Sequence, residues 1–208
     1  MIRDAVEAVV KALIAKKDYL SELDAKIGDG DHGLNMARGA KAAIETLDEL
    51  DDSDDLKEIL NAIGEAVVMN VGGSAGPLYG TGILEAAKVI DENSAVDIMT
   101  LEKVFGAVVA GIQKRGHAEK GDKTMLDVLI PIYECFKAEN SAGKSLDDVL
   151  TIAREAAIDG VEYTKTIAAK RGRASYLGEK SIGFEDPGAA SSLIMYRALC
   201  GYWKDNFR

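Results

Sequence analysis

Residues 6–23 have the sequence VEAVVKALIAKKDYLSEL, and this stretch sets the pattern for the rest of the chain. Its apolar side chains keep one face of a 3.6-residue helix occupied, at positions 6, 9, 10, 13, 14, 20 and 23. The same spacing returns around residues 44–50, 56–67, 84–90, 104–112, 126–136, 146–164 and 193–202. No stretch has the sustained period-two alternation that marks a strand. The sequence therefore predicts an all-α protein with eight helices.

Glycine-rich polar segments follow the first, third, fifth and seventh of these predicted helices. They are 24–35 (DAKIGDGDHGLN), 70–82 (NVGGSAGPLYGTG), 115–125 (RGHAEKGDKTM) and 171–190 (RGRASYLGEKSIGFEDPGAA). Short connections favour an antiparallel up-and-down bundle, in which alternate loops emerge at the same end. We therefore expect all four segments to form one pocket at one end of the bundle.

Composition limits the classes of function. A chain of 208 residues with 47% hydrophobic residues is long enough for a sizeable core, and we expect one domain over 1–208. The net charge of −10 argues against nucleic acid and anionic membranes as partners. No apolar run is long enough to span a bilayer. Cys135 and Cys200 lie in helical stretches, as buried thiols do, so we expect a reducing, cytoplasmic location.

Three aspartates in the first glycine-rich segment predict a metal site. Asp24, Asp29 and Asp31 lie within eight residues, among glycines that let the backbone fold back on itself. Such carboxylates would repel one another unless a hard divalent cation such as magnesium bound them. Any one of these aspartates taken alone is better explained as a helix cap or turn former, but the three together favour a metal site. An EF-hand is excluded because its terminal Glu is missing.

Two common nucleotide motifs fail. Residues 28–33 satisfy GxGxxG, but a helix rather than a strand is predicted before them. Gly143, Lys144 and Ser145 resemble the end of a P-loop, yet Ala138 stands where its first glycine is required.

Residues 72–82 offer a different phosphate site because they open a helix. Unpaired N–H groups at a helix N-terminus attract phosphate, and Ser74 could add a hydroxyl. Glycine that permits close helix packing explains the same run equally well. The nearby acidic cluster favours phosphate.

Other polar residues give weaker signals. His32, next to Asp31, is a candidate hydrogen-bond donor to a phosphoryl group, whereas His117 receives no role. We expect Arg171 or Arg173 to pair with a diphosphate. We predict no side chain that forms a covalent intermediate, because no candidate nucleophile has a general base nearby in the sequence. Phosphoryl transfer can proceed by positioning and charge neutralisation alone.

The four segments together resemble the L subunit, or nucleotide-binding domain, of dihydroxyacetone kinases. The matching strings are Asp24-x4-Asp29-x-Asp31-His-Gly-x-Asn35, VGGSAGPLYGT, RGHAEKGDKTM and GRASYLGEKSIGFEDPGA, in order over nearly the whole chain. The resemblance implies an eight-helix barrel with ADP or ATP and two magnesium ions in a pocket at one end.

The resemblance also implies roles for eleven residues. Magnesium would be held by Asp24, Asp29 and Asp31. The nucleotide would be lined by His32, Asn35, Ser74, Ala75, Gly116, Met125, Arg173 and Gly188. The sequence departs from the family pattern in two respects. Ser74 and Ala75 stand in reverse order, which leaves open whether a hydroxyl or backbone amides contact phosphate, and Phe184 replaces an expected histidine.

The family implies two partners. In its stand-alone form the subunit keeps ADP bound, and a phosphohistidine protein of the phosphotransferase system rephosphorylates that ADP in place. The resulting ATP then phosphorylates dihydroxyacetone held on a separate kinase subunit. We expect this form because the chain begins directly with its first helix. The acceptor could also be a related keto-sugar, and a homodimer is among the assemblies allowed.

Two other classes of function remain open. A magnesium-dependent all-helical nucleotide pyrophosphatase also uses acidic clusters, although these usually contain glutamates spaced along helices. In a non-catalytic acidic interaction module the glycine-rich segments would be linkers. The charge run at 48–55 (DELDDSDD) is interpreted as a solvated loop with an acidic start to the next helix.

Overall fold

The computed structural model describes residues 2–50, 55–91, 94–139 and 142–207. Across these residues it contains helices and no strand, which confirms the all-α prediction. The α-helices are α1 (Ile2–Ala15), α2 (Lys17–Ile27), α3 (His32–Glu49), α4 (Leu56–Asn70), α5 (Ala75–Lys88), α6 (Ile98–Gly116), α7 (Leu126–Glu139), α8 (Leu146–Thr164) and α9 (Pro187–Phe207). A 3₁₀ helix, Arg173–Ser181, lies between α8 and α9.

Eight of these helices close into a ring. Each helix from α3 to α8 packs against the next one in the chain, and α1 completes the circle by packing against both α3 and α9. The short helix α2 lies against α3 and α9. The predicted eight-helix barrel is therefore confirmed, and α2 adds a ninth α-helix among the described residues.

The extra helix arises where the sequence predicted one continuous helix over 6–23. The chain bends at Lys16, whose backbone angles (φ −104°, ψ 9°) leave the helical region. Apolar residues on both sides remain buried, including Leu13 before the bend and Leu20 after it. Because the buried face continues across the bend, apolar spacing could not reveal it.

Close helix contacts depend on small residues. A Cβ added to Gly80 on α5 would lie 2.3 Å from a methyl group of Val68 and 2.9 Å from the carbonyl oxygen of Gly64, both on α4. These two helices can therefore approach closely only because position 80 lacks a side chain.

The charge run at 48–55 is only partly visible, because residues 51–54 lie outside the described part of the chain. At its end, Asp55 accepts hydrogen bonds from the N–H groups of Lys57 (2.8 Å) and Glu58 (3.3 Å). This is the expected acidic start of a helix, here α4. Within the described residues, no helix is both long and apolar enough to cross a bilayer.

Candidate functional site

All four glycine-rich segments line a single cavity of about 420 Å³ at one end of the barrel. Each segment contains the start of a helix or leads directly into one, namely α3, α5, α7 and α9. The prediction that alternate connections meet at one end is therefore correct.

The acidic cluster forms one wall of the cavity. Asp24 lies in the last turn of α2, and Asp29 and Asp31 lie in the connection to α3. One carboxylate oxygen from each lies within 4.8 Å of the others. Three hard oxygen ligands at this spacing, with open space beside them, suit a magnesium ion that keeps positions free for phosphate oxygens. The residues present thus fit the expected metal.

Three local features hold the cluster together. The carboxylate of Asp24 accepts a hydrogen bond from the N–H of His32 at 3.1 Å, which ties the end of α2 to the start of α3. Gly28 packs so closely against Asp24 that an added Cβ would lie 2.1 Å from its Oδ1 atom. Gly30 has a φ of +78°, a conformation that glycine adopts without steric cost.

The three carboxylates of the cluster repel one another. Burial raises the pKa of Asp24 above its usual range, and the neighbouring carboxylates of Asp29 and Asp31 raise it further, while the hydrogen bond from His32 opposes the rise. Asp29 forms an ion pair with Arg173, whose Nε lies 2.7 Å from Oδ2. The negative charge of this wall therefore already attracts a cationic side chain, which comes from the 3₁₀ helix.

A second wall is the start of α5. Ser74 precedes this helix and its side chain makes no capping hydrogen bond, so its hydroxyl is available to a ligand. Ala75 is the first residue of α5 and also lines the cavity. The N-terminal amides of α5 thus lie at the cavity wall, where the helix dipole favours an anion.

Asn35 supports the glycine-rich segment before α5. It is buried, and its side-chain oxygen accepts a hydrogen bond from Arg38. A Cβ on Gly72 would lie 2.5 Å from that same oxygen, so the segment packs directly on Asn35.

A buried hydroxyl network links α5, α9 and α3. The hydroxyl of Tyr79 lies 2.8 Å from the carbonyl oxygen of Gly188, 2.8 Å from Ser191 Oγ and 2.9 Å from Ser192 Oγ. Ser191 Oγ in turn lies 3.0 Å from His32 Nε2. Burial lowers the pKa of His32 to about 4, so its imidazole is neutral near pH 7 and can donate one N–H.

The remaining predicted positions close the other side of the cavity. Gly116 ends α6, Met125 precedes α7 and Gly188 lies in the first turn of α9. A Cβ on Gly188 would lie 3.4 Å from the backbone nitrogen and 3.4 Å from the Cε atom of Met125. The start of α9 therefore packs closely against the segment before α7 at this point.

All eleven residues predicted to hold metal or nucleotide line this cavity. Their roles as ligands remain predictions. Arg171 also lines it and lies within ion-pairing distance of Asp122, with Nε 3.4 Å from Oδ2. His117, which received no role, is exposed in a left-handed conformation (φ 50°) at the end of α6.

Sequence reasoning missed several residues of the cavity and its surroundings. Lys123, Thr124 and Asp186 line it, and Tyr79 supports it from behind. Lys123 and Asp186 had one available signal: charged residues inside glycine-rich segments whose other members were already candidates. Tyr79 had none, because a tyrosine at a helical position is usually interpreted as core.

Comparison with known proteins supports one family. The family model described as the DAK2 domain matches residues 26–201. The ADP-binding subunit DhaL of PEP-dependent dihydroxyacetone kinase 1 from Listeria innocua is 43% identical over 88% of this chain and 86% of its own length. The corresponding Escherichia coli subunit is 40% identical over 88% of this chain and 87% of its own length.

A solved structure agrees in fold. The dihydroxyacetone kinase of C. freundii, in complex with AMP-PNP and Mg2+, superposes with a TM-score of 0.74 and 27% sequence identity. The match covers 96% of this chain, which spans about a third (33%) of that kinase.

Proposed function

Because the chain belongs to the DAK2 domain family, which its match over residues 26–201 establishes, we propose that it is the phosphoryl-transfer subunit of a dihydroxyacetone kinase. In this proposal it holds ADP or ATP with magnesium in the cavity at the end of the barrel. The observation that carries it is the placement of three carboxylates within 4.8 Å of one another, in the same cavity as the start of α5.

Each wall of the cavity has a distinct task. Asp24, Asp29 and Asp31 would hold magnesium, because their negative charge repels a phosphate that approaches without a cation. Two bound ions would neutralise charge between these carboxylates and the phosphate oxygens. The amides at the start of α5, with the Ser74 hydroxyl, would contact phosphate from the second wall.

The other lining residues would position the nucleotide. Neutral His32 can donate a hydrogen bond while its ring is held at Ser191. Arg173 can exchange its carboxylate partner for a phosphate oxygen, since both are bound in the same way by a guanidinium. The lining also includes Asn35, Ala75, Gly116, Met125 and Gly188, which would contact the rest of the nucleotide.

The chain would work with two protein partners. A phosphohistidine protein of the phosphotransferase system would pass its phosphoryl group to bound ADP, so that a P–N bond breaks and a P–O bond forms. The ATP produced would pass that group to a hydroxyl of dihydroxyacetone on a separate kinase subunit, which regenerates ADP. The relatives named PEP-dependent kinase subunits support this setting. We further propose one domain over 1–208 and a cytoplasmic location.

Native mass spectrometry tests the bound ligand. After mild purification, the protein should carry a mass excess equal to ADP plus magnesium. A protein that neither carries nor binds ADP would favour the non-catalytic interaction module. Rapid release of pyrophosphate from nucleoside triphosphates would instead favour the pyrophosphatase.

Two substitutions test the metal wall. Asp29→Asn and Asp31→Asn should abolish ADP retention while the circular dichroism of the helices is unchanged, because each removes a negative ligand from the cation that bridges to the diphosphate. Glu22→Gln is the matched control, since Glu22 is an exposed carboxylate on α2 outside the cavity. Retention of ADP by either aspartate variant at the level of the control would show that the assigned roles are wrong.

A further inference from the structure

Lys123 is a buried lysine that the proposed chemistry does not use. It lies in the segment before α7, with only 1% of its surface exposed, and is among the largest fully buried side chains of the described residues. Its backbone adopts φ 61°, a conformation that non-glycine residues seldom occupy. A long cationic side chain kept in such a place requires compensating contacts.

Those contacts are backbone carbonyl oxygens from a distant part of the chain. The ammonium group of Lys123 donates to the carbonyl oxygens of Thr164 (2.5 Å), Ser181 (2.8 Å) and Phe184 (2.7 Å), and approaches that of Ile167 at 3.3 Å. An ammonium has three N–H donors, so all of them are used. One side chain thereby joins the end of α8 to both ends of the connection that leads to α9.

The charge of Lys123 is balanced at a distance. Burial lowers its pKa, and the carboxylates of Asp186 and Asp127 oppose that shift. Asp127 is itself fixed by the N–H groups of Gly121 (2.6 Å) and Thr124 (2.9 Å). The ammonium group of Lys123 is thus stabilised by the fixed negative charge of Asp127, at the start of α7, and by the carbonyl oxygens of the connection that leads to α9.

The other anchors of the connection held by Lys123, residues 165–186, are mainly polar, such as the ion pairs of Arg173 with Asp29 and of Arg171 with Asp122. The buried residues of this connection are Ala169, Ser181 and Asp186, and only the first of these is apolar. Hydrophobic burial therefore contributes little to holding it on the barrel. Yet this connection carries Arg171 and Arg173, which line the cavity.

We propose that Lys123 is a positioning residue, whose buried ammonium group pins residues 165–186 against the start of α7 and so keeps Arg171 and Arg173 at the cavity. The role of the arginines in binding nucleotide rests on the proposed function. The contact of Lys123 with residues 165–186 does not rest on the proposed function, because it is present in the chain without ligand.

Lys123→Met tests the pinning directly. Methionine keeps an unbranched stem of similar length but has no N–H group, so the carbonyl oxygens lose their donor. Hydrogen exchange measured without nucleotide should speed up by about tenfold or more in residues 165–186 and stay unchanged in α4 and α5. The affinity for MgADP should fall by about tenfold or more, as it does when residues that orient a site are lost.

Lys120→Met is the matched control. Lys120 lies three residues earlier in the same segment, is exposed and pairs with Glu134 at 2.8 Å, so neither measurement should change. Unchanged exchange over residues 165–186 in the Lys123→Met protein, or equal loss of protection in every helix, would overturn the proposal. If the unaltered protein binds no MgADP, the proposed function fails, and the exchange measurement alone decides the role of Lys123.

A second variant covers the case in which Lys123→Met does not fold. Lys123→Cys is made with Cys135 and Cys200 replaced by alanine, and is alkylated while unfolded with either 2-bromoethylamine or 1-bromopropane. The two products have side chains of the same length and differ in carrying an ammonium or a methyl group. Slow exchange over residues 165–186 should return with the ammonium alone. Equal exchange in both products would refute a role for the charge.

Discussion

Gly28→Ala is the sharpest test of the acidic wall, because it alters the position of a carboxylate without removing any charge. Gly28 follows α2 directly and has a negative φ of −141°, so alanine needs no left-handed conformation there. The obstacle is space. The added Cβ would lie 2.1 Å from Asp24 Oδ1 and 3.0 Å from Asp24 Cγ.

The size of the effect follows from that distance. Ordinary contact begins near 3.4 Å, so the oxygen must retreat by the difference between 3.4 and 2.1 Å, about 1.3 Å. Magnesium binds oxygen at about 2.0–2.1 Å, and metal sites tolerate changes of about 0.2 Å. Asp24 would therefore be lost as a ligand. We expect magnesium affinity to fall by about tenfold to hundredfold, or about 1.4–2.8 kcal/mol.

Isothermal titration of Mg²⁺ in the presence of saturating ADP measures this change, and thermal melting checks the fold. Gly201→Ala is the control, because Gly201 lies in α9 with no atom within 4 Å of an added Cβ. Its magnesium affinity should equal that of the unaltered protein. An alanine at position 28 that left magnesium affinity within about twofold would refute the reasoning that Asp24 is a ligand held in place by this contact.

Two further predictions concern stability. Gly160→Ala would place a Cβ 2.2 Å from the carbonyl oxygen of Asp127, so α7 and α8 must separate, and urea unfolding should show a loss of about 1–3 kcal/mol. A loss below about 0.5 kcal/mol would contradict this. Burial raises the pKa of Asp186 to about 7, so its contribution to stability is complete below about pH 4 and is lost as the pH rises through 7. Asp186→Asn cannot ionise, and its stability relative to the unaltered protein, measured by urea unfolding, should therefore increase between pH 4 and 7; a difference independent of pH would contradict the assignment.

The sequence predicted the location of the site better than the ends of its helices. Counting helices was enough to bring the four glycine-rich segments to one end, because an antiparallel ring leaves no other arrangement. Residues 72–82 were correctly predicted to open a helix. The first and fourth segments were interpreted as loops, yet His32 and Pro187 begin helices within them. Glycine and aspartate are equally common in loops and in the first turn of a helix, so composition could not separate the two.

Supporting residues were the hardest to predict. Lys123 lies in a polar segment, where a lysine is normally solvated, and only the folded chain brings the carbonyl oxygens of residues 164–184 to its ammonium group. Tyr79 contacts partners more than a hundred residues away. Such contacts depend on the pairing of distant helices, about which local apolar spacing carries no information.

The position of Lys123 also bears on how an acidic protein could bind an anion. At the cavity end of the barrel, helices that begin there alternate with helices that end there, so the positive and negative ends of their dipoles cancel at long range. What a phosphate meets then depends on which groups face it closely. The last carbonyl oxygen of α8, at Thr164, is occupied by Lys123, whereas the start of α5 lies open at the cavity. Lys123 thus offsets the negative end of α8, whereas the amides at the start of α5, together with the magnesium of the proposed function, would supply the positive groups that a diphosphate needs in a chain with a net charge of −10.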